Sequence, residues 1–311
     1  MKAPLFVSSG DLIADRRYKW ALDHAARGDL AAAADILLQT VELAPRFATA
    51  WFALGAIRDV QGDRDGAVTA FAAARDADPK DYHGARLHLA RLGSGEATSG
   101  MTETYVRRLF DQHAPDFDRS LLERLEYRGP ELLREAVESV YRGLARPMSF
   151  SDMLDLGCGT GLAGEAFRPF AAHLTGVDLS PGMVEQARGK SVYDRLEAAE
   201  LVELLRDEPA GSYDFVLAAD VFVYVADLAP ALDGIAHVLT ADGLLAFTVE
   251  THEGDGVRLA PTLRYAHGKD YVRTVLGAAG LKPLRMAETS IRTEKGAPVP
   301  NLVIVAARAA G

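Results

Sequence analysis

Apolar positions along the chain follow two different rhythms. Over roughly the first ninety residues they recur at helical spacing, as in the alanine-rich stretch Leu30–Leu43 and the stretch Tyr82–Leu92. Helical stretches Thr102–Phe110 and Gly129–Leu144 follow, with Pro130 suited to a first helical turn. From Asp152 on, short apolar runs alternate with helical ones. Strands are predicted at Met153–Leu156, His173–Asp178, Arg195–Ala199, Tyr213–Ala219, Leu244–Val249, Lys282–Arg292 and Leu302–Ala307. Helices are predicted at Gly161–Phe170, Pro181–Gly189, Leu228–Leu239 and Lys269–Ala279, with Ala241-Asp242-Gly243 as a turn. Such βα alternation implies an α/β class with a doubly wound, mostly parallel seven-stranded sheet, preceded by a small all-α domain. The domain reading is 1–93 helical repeats, 94–150 linker and lid helices, and 151–311 the sheet domain.

The all-α part is internally repeated. Gly28-Asp29 recurs 34 residues on as Gly62-Asp63, and Ala44-Pro45 as Asp78-Pro79. In the clearer second copy Trp51, Leu54 and Gly55 stand on one helix, Ala67, Phe71 and Ala74 on the next, and Pro79 follows. That spacing of small and large residues is the tetratricopeptide pattern. Stacks of this kind usually need about three copies to stand alone, so the block is expected to pack on the rest of the chain or on a second copy. It serves as a lid or self-association element, or it binds a protein partner. The run Gly93–Gly100, rich in Gly and Ser, reads as a flexible linker.

Composition narrows the function. The net charge of -10 weighs against a general nucleic-acid binder, which usually carries a basic face. The single cysteine, Cys158, excludes an internal disulfide, and no run approaches a membrane span, so a cytoplasmic setting without membrane contact is expected. No His/Cys cluster has zinc spacing, so no metal is expected.

The candidate chemistry centres on Asp155-Leu156-Gly157-Cys158-Gly159-Thr160-Gly161. An apolar strand runs to an acid, three alternate glycines turn the chain, and a helix begins. Glycines there permit positive φ and close approach of a ligand to the backbone. Gly159 to Gly164 also fits G-x-G-x-x-G, with Asp178 placed to hold a ribose, so a dinucleotide must be weighed. Asp155 weighs against it, since a carboxylate at this turn repels a pyrophosphate and welcomes a cationic amino acid end. With DLGCGTG as first motif, VDLSPGM (Val177–Met183) as second and YDFVLAADVF (Tyr213–Phe222) as fourth, the chain from about Tyr105 onward resembles a class I S-adenosylmethionine-dependent methyltransferase with a Rossmann-like sheet. The phrases YVRRLFDQHAPDFD, DVFVYVADLAP and LRYAH make the whole chain similar to a bacterial group of predicted methyltransferases with tetratricopeptide repeats.

The resemblance implies S-adenosyl-L-methionine as cofactor and assigns roles. Gly157, Gly159 and Gly161 would let the backbone approach the methionine part, and Asp155 would sit near its amino group. Asp178 would accept both ribose hydroxyls, and Leu179 and Met183 would pack on adenine. Glu200-Leu201 stands where the family has an acid for the adenine amino group, with Glu in place of the commoner Asp. Ala219 or Asp220 would border methionine and substrate. Tyr105, Phe110 and His113 belong to a flap, Tyr105–Phe117, read as closing over the cofactor or as an amphipathic helix covering the main domain. Methyl transfer needs chiefly a positioned nucleophile and, for oxygen, a base. Candidates at the pocket mouth are Tyr224, His252, His267 and Arg264, the last able to pair with a substrate carboxylate or with acids of the chain. The expected acceptor is a small molecule methylated on oxygen or nitrogen; a protein acceptor held by the repeats is the alternative.

Overall fold

The computed structural model describes residues 6–119, 121–122, 125–294 and 296–309. Its contacts divide the chain into two units: residues 1–105 with 261–263, and residues 106–260 with 264–311.

The first unit is helical. Its elements are α1 (Leu12–Ala26), α2 (Leu30–Leu43), α3 (Ala48–Val60), α4 (Arg64–Ala77) and α5 (Ala85–Arg91). Aspartates start three of them. Asp11 accepts from the Ile13 and Ala14 amides, Asp29 from Ala32 and Asp63 from Gly66. Gly28 and Gly62, in the two equivalent turns, both take positive φ, 84° and 80°. The sequence repeat is thus a repeat of capped helical hairpins. Small residues set the hairpin spacing. A Cβ on Gly55 would lie 2.8 Å from the Phe71 ring, and Ala14, Ala21 and Ala33 are fully buried. Helix α5 is shorter than predicted because the Asp81 carboxylate accepts from the Ala85 and Arg86 amides at 2.7 and 3.1 Å and fixes the start there. The expected linker is also packed down. Cβ atoms on Gly95 and Gly100 would meet the α5 backbone at Ala90 and Leu87, 3.3 and 3.1 Å away, and Ala97–Ser99 form a 3-10 turn.

Helix α6 (Glu103–His113) runs through the boundary at Tyr105/Val106, followed by the single turn α7 (Phe117–Arg119) and α8 (Gly129–Gly143). The second unit then alternates: β1 (Phe150–Leu156), α9 (Leu162–Phe167), β2 (Ala171–Asp178), α10 (Pro181–Lys190), β3 (Arg195–Ala198), α11 (Leu201–Asp207), β4 (Tyr213–Ala218), α12 (Ala229–Val238), β5 (Leu239–Glu250), β6 (Val257–Leu259), β7 (Tyr265–His267), α13 (Lys269–Ala278), β8 (Leu281–Thr289), β9 (Thr293–Glu294), β10 (Ala297–Pro298) and β11 (Asn301–Arg308). The main sheet runs β3-β2-β1-β4-β5-β11-β8. It is mixed, since β11 is antiparallel to both β5 and β8. Seven strands form the path as expected, and the β6–β7 pair hangs on β5 through Glu250 and Ala266.

Three expectations change. Ala241–Gly243 lies inside β5 rather than in a turn, with a register shift against β4. The long loop Gly254–Gly268 contains β6 and β7. The strand expected to reach Arg292 ends at Thr289, which frees Arg292 from the sheet.

Strand side chains are buried on both faces, as parallel sheets under two helical layers require. Leu154, Leu156, Val177, Phe222, Phe247 and Ile304 belong to one core, and Met153, Phe167, Phe215 and Val305 to the other. Strand order reverses between β1 and β4, so the crevice for a ligand opens beyond their carboxyl ends.

His88 makes the first unit sensitive to acid. Its ring stacks on Phe71 at 4.7 Å and meets Phe52 edge-on at 5.1 Å. Burial pulls its pKa from 6.5 to about 4. The unfolded chain takes up this proton near pH 6.5 and the folded chain refuses it until about pH 4, so stability falls as pH drops through that window. Urea melts at pH 7 and pH 4 should differ by about 3 kcal/mol through this group. His88→Phe should flatten that part of the slope; an unchanged slope would refute the assignment.

Candidate functional site

The site is built on the turn after β1. Gly157, Gly159 and Gly161 all take positive φ, 65°, 54° and 93°. A Cβ on Gly157 would lie 2.4 Å from Val221, so the segment after β4 is pressed against this turn. The turn is tied to β2 by the Cys158 amide, which donates to Val177 O at 2.9 Å. Burial pushes the Cys158 thiol well up, so it is no nucleophile.

Asp155 is fully buried beneath the turn. One carboxylate oxygen accepts from the Tyr193 hydroxyl at 2.6 Å; the other, Oδ1, has no hydrogen-bond partner among the described residues. Burial, with the nearby Asp178 charge, pushes its pKa to about 7. Tyr193 reaches it through a slot left by two glycines. A Cβ on Gly164 would meet its hydroxyl at 2.3 Å, and one on Gly176 its ring at 2.7 Å. Sequence reasoning missed Tyr193, because the slot joins α9 to β2 and leaves no local signal.

Asp178, at the end of β2, joins the two cofactor-side turns. Its oxygens accept from the Gly159 amide at 2.9 Å and the Ser180 amide at 2.8 Å. Each oxygen keeps a further lone pair for a ligand hydroxyl. Burial lifts its pKa to about 6, with Asp111 adding to the rise. The Ala199 amide donates to Asp178 O at 3.0 Å, which brings Glu200 to the same rim. Glu200 caps α11, accepting from the Glu203 amide at 2.8 Å, and Leu201 opens that helix. Leu179 is half-buried; Met183 is fully buried in α10.

The flap is held by polar bonds as much as by its aromatics. Asp111 accepts from the Ser180 hydroxyl at 2.5 Å and the Gly182 amide at 3.0 Å. Arg107 donates to Leu179 O at 3.2 Å. Asp118 accepts from the Thr160 hydroxyl and pairs with Lys190 at 2.9 Å. Phe110 packs edge-on against Tyr224 at 5.1 Å and Phe117 at 5.8 Å. His113 turns back, its Nδ1–H donating to Leu109 O at 2.5 Å. Tyr105 belongs to the first unit, where it lies over Gly84.

Across the crevice stands a buried charge cluster. Arg292, with its side chain fully buried, donates from Nη1 to both oxygens of Asp220 at 2.6 and 2.7 Å, from Nη2 to Glu250 and from Nε to Glu294 at 3.3 Å. Arg264 pairs with Glu294, lies 3.7 Å from Glu250 and is hydrogen-bonded by the Tyr224 phenol oxygen. Arg264 thus meets acids of its own chain. Asp220 follows Ala219 in the left-handed region, φ 60°, with its amide donating to Thr248 Oγ1 at 2.9 Å. Tyr127 is buried close to Asp220, Arg292 and Asp155, and burial, then Asp220, pushes its phenol well up.

The two candidate histidines stand apart from the cluster. His267 is fully buried, its Nε2–H shared between Val225 O and Ala226 O at 3.0 and 3.2 Å. Burial pulls its pKa to about 4, so it is neutral at pH 7. The His252 ring nitrogens lie 3.2 and 3.4 Å from Glu253 O and Gly256 O of its own loop.

The residues fit a ligand with a cationic amino acid end and a vicinal diol. The fit rests on the partnerless Asp155 oxygen, the glycine turn and the doubly supported Asp178. Residues 154–245 match the model of a methyltransferase domain. Methyltransferase-like protein 27 of Homo sapiens is 35% identical over 147 residues, spanning 47% of this chain and 58% of that protein. The stretch 154–245 is thus similar to a methyltransferase domain. Ubiquinone biosynthesis O-methyltransferase of Xylella fastidiosa (strain 9a5c) is 33% identical over 153 residues, 44% of this chain and 61% of that one. The chain thus spans about three fifths of the curated relatives it matches. In fold, the chain is similar to 1,6-didemethyltoxoflavin-N1-methyltransferase of Burkholderia thailandensis, solved with S-adenosylhomocysteine: TM-score 0.50, 21% identity, 66% of this chain and 87% of that one.

Tyr193→Phe should lower stability at pH 8 by about 1–3 kcal/mol, since the buried Asp155 carboxylate loses its donor. A urea melt within about 0.5 kcal/mol of wild type would show that the hydroxyl does not support the carboxylate.

Proposed function

We propose that the chain is a methyltransferase that uses S-adenosylmethionine to methylate a small-molecule acceptor on oxygen or nitrogen. The observation that carries this reading is the pair of carboxylates at the two turns: Asp155 with an unengaged oxygen, and Asp178 held by two amides. Asp178 would hold the ribose hydroxyls and Asp155 the amino group, with Gly157–Gly161 against the methionine chain. Leu179 lines the adenine side and Glu200 its amino end. When bound, the cofactor supplies a methyl group on a sulfonium, a good leaving group. The protein's part is to position the acceptor and keep water out. The α6–α7 flap serves the second task, being fastened at both cofactor turns and at Tyr224.

The capped 34-residue hairpins support a tetratricopeptide-like assignment for the first unit, used as a lid or for self-association. His267 is neutral and bonded to carbonyls, which supports a role in shaping the β4 loop. Tyr224, beside Arg264 and under Phe110, is the better-placed contact for an acceptor.

Calorimetry tests the cofactor half. S-adenosylhomocysteine should bind, and Asp178→Ala should weaken it about 100-fold, or about 2.7 kcal/mol. No binding to wild type would sink the reading. Binding near pH 7 should also release a proton, because an ammonium beside Asp155 pulls its pKa down from about 7. Titrations in buffers of different ionisation enthalpy measure that release; proton uptake, or none, would place the amino group elsewhere.

A further inference from the structure

Arg292 lies outside the cofactor turns and outside every motif, yet its side chain is fully buried. It gathers carboxylates from three places: Asp220 after β4, Glu250 at the end of β5 and Glu294 in β9. Arg264 shares two of them. The segment holding Asp220 is pressed on the glycine turn through Val221 and Gly157, so this cluster walls the end of the crevice where the methyl group would be delivered. Both guanidinium groups are committed to carboxylates. The three acids outnumber the two arginines. An incoming carboxylate or phosphate would meet net negative charge and no uncommitted guanidinium of this pair, which costs several kcal/mol. The mouth above is aromatic, with Phe110 on Tyr224 and Phe117.

We propose that Arg292 is a positioning residue that, by holding Asp220 and Glu250, makes the acceptor subsite select an aromatic hydroxyl or amine compound without an anionic group. This rests on the methyltransferase reading. Asp220 pays for the arrangement with a left-handed backbone, a conformation costing about 1 kcal/mol in a non-glycine residue. Removing Arg292 would leave Asp220 unpaired, Glu250 and Glu294 to Arg264 alone, and the subsite more negative.

The test uses full-length protein loaded with S-adenosylhomocysteine and three probes on one ring: tyrosol, tyramine and 4-hydroxyphenylacetate. Affinities come from ligand-observed NMR at pH 7.5. Tyrosol and tyramine should bind at least about 10-fold more tightly than the acetate. In Arg292→Met the tyramine-to-tyrosol affinity ratio should rise about 10-fold, and Arg292→Lys should restore it, which a merely structural role would not produce. Arg264→Met, partly exposed, should shift the ratio the same way by less and serves if Arg292→Met fails to fold. Acetate binding equal to the others, no binding of any probe, or a ratio unchanged in the variants would overturn the proposal. Failure of S-adenosylhomocysteine to bind in the first place strikes the methyltransferase reading instead.

Discussion

The Asp178 carboxylate is the joint of the sheet unit. Accepting one amide from the turn after β1 and one from the turn after β2, it fixes two loops that belong to neighbouring parallel strands. Everything on the cofactor side is referred to that joint. Ser180, whose amide it holds, caps α10 and donates its hydroxyl to Asp111 of the flap. Thr160, in the other turn, donates to Asp118. The flap therefore reaches both loops by polar bonds whose geometry the joint sets, and the crevice closes as one construction.

Much of this frame was legible. The glycine turn, Asp155, Asp178 and the alternation of strands and helices leave local patterns, because parallel strands buried on both faces read as apolar runs and tight turns demand glycine. What was not legible depends on groups far apart in sequence. Tyr193 reaches Asp155 only because Gly164 and Gly176 are both small. Arg292 finds Asp220 and Glu250 across 72 and 42 residues. The turn read at Ala241–Gly243 fell on a different feature: these residues sit in the register shift of β5, where pairing with β4 passes from Leu239 to Leu244, so the strand runs on either side of them. In the loop before α13, two three-residue strands were too short to show a period.

The two units use burial differently. The helical one gains its close spacing from alanine and glycine, so Phe71 can lie on Gly55, and it tolerates a neutral histidine in an aromatic cage. The sheet unit buries charge. Two arginines and three carboxylates, Arg292 and Arg264 with Asp220, Glu250 and Glu294, are offset against each other instead of being excluded.

The contact among Tyr193, Gly164 and Gly176 also restricts how this chain can drift in sequence. Three positions, on α9, on β2 and in the loop after α10, share one volume, and the ring in it supports the buried acid of the cofactor turn. Enlarging either glycine expels the ring; losing the ring first would leave both glycines free to grow but the acid unsupported. A viable change at any one of them must arrive with a change at the others, so the three positions form a single unit of variation although no stretch of sequence contains them together.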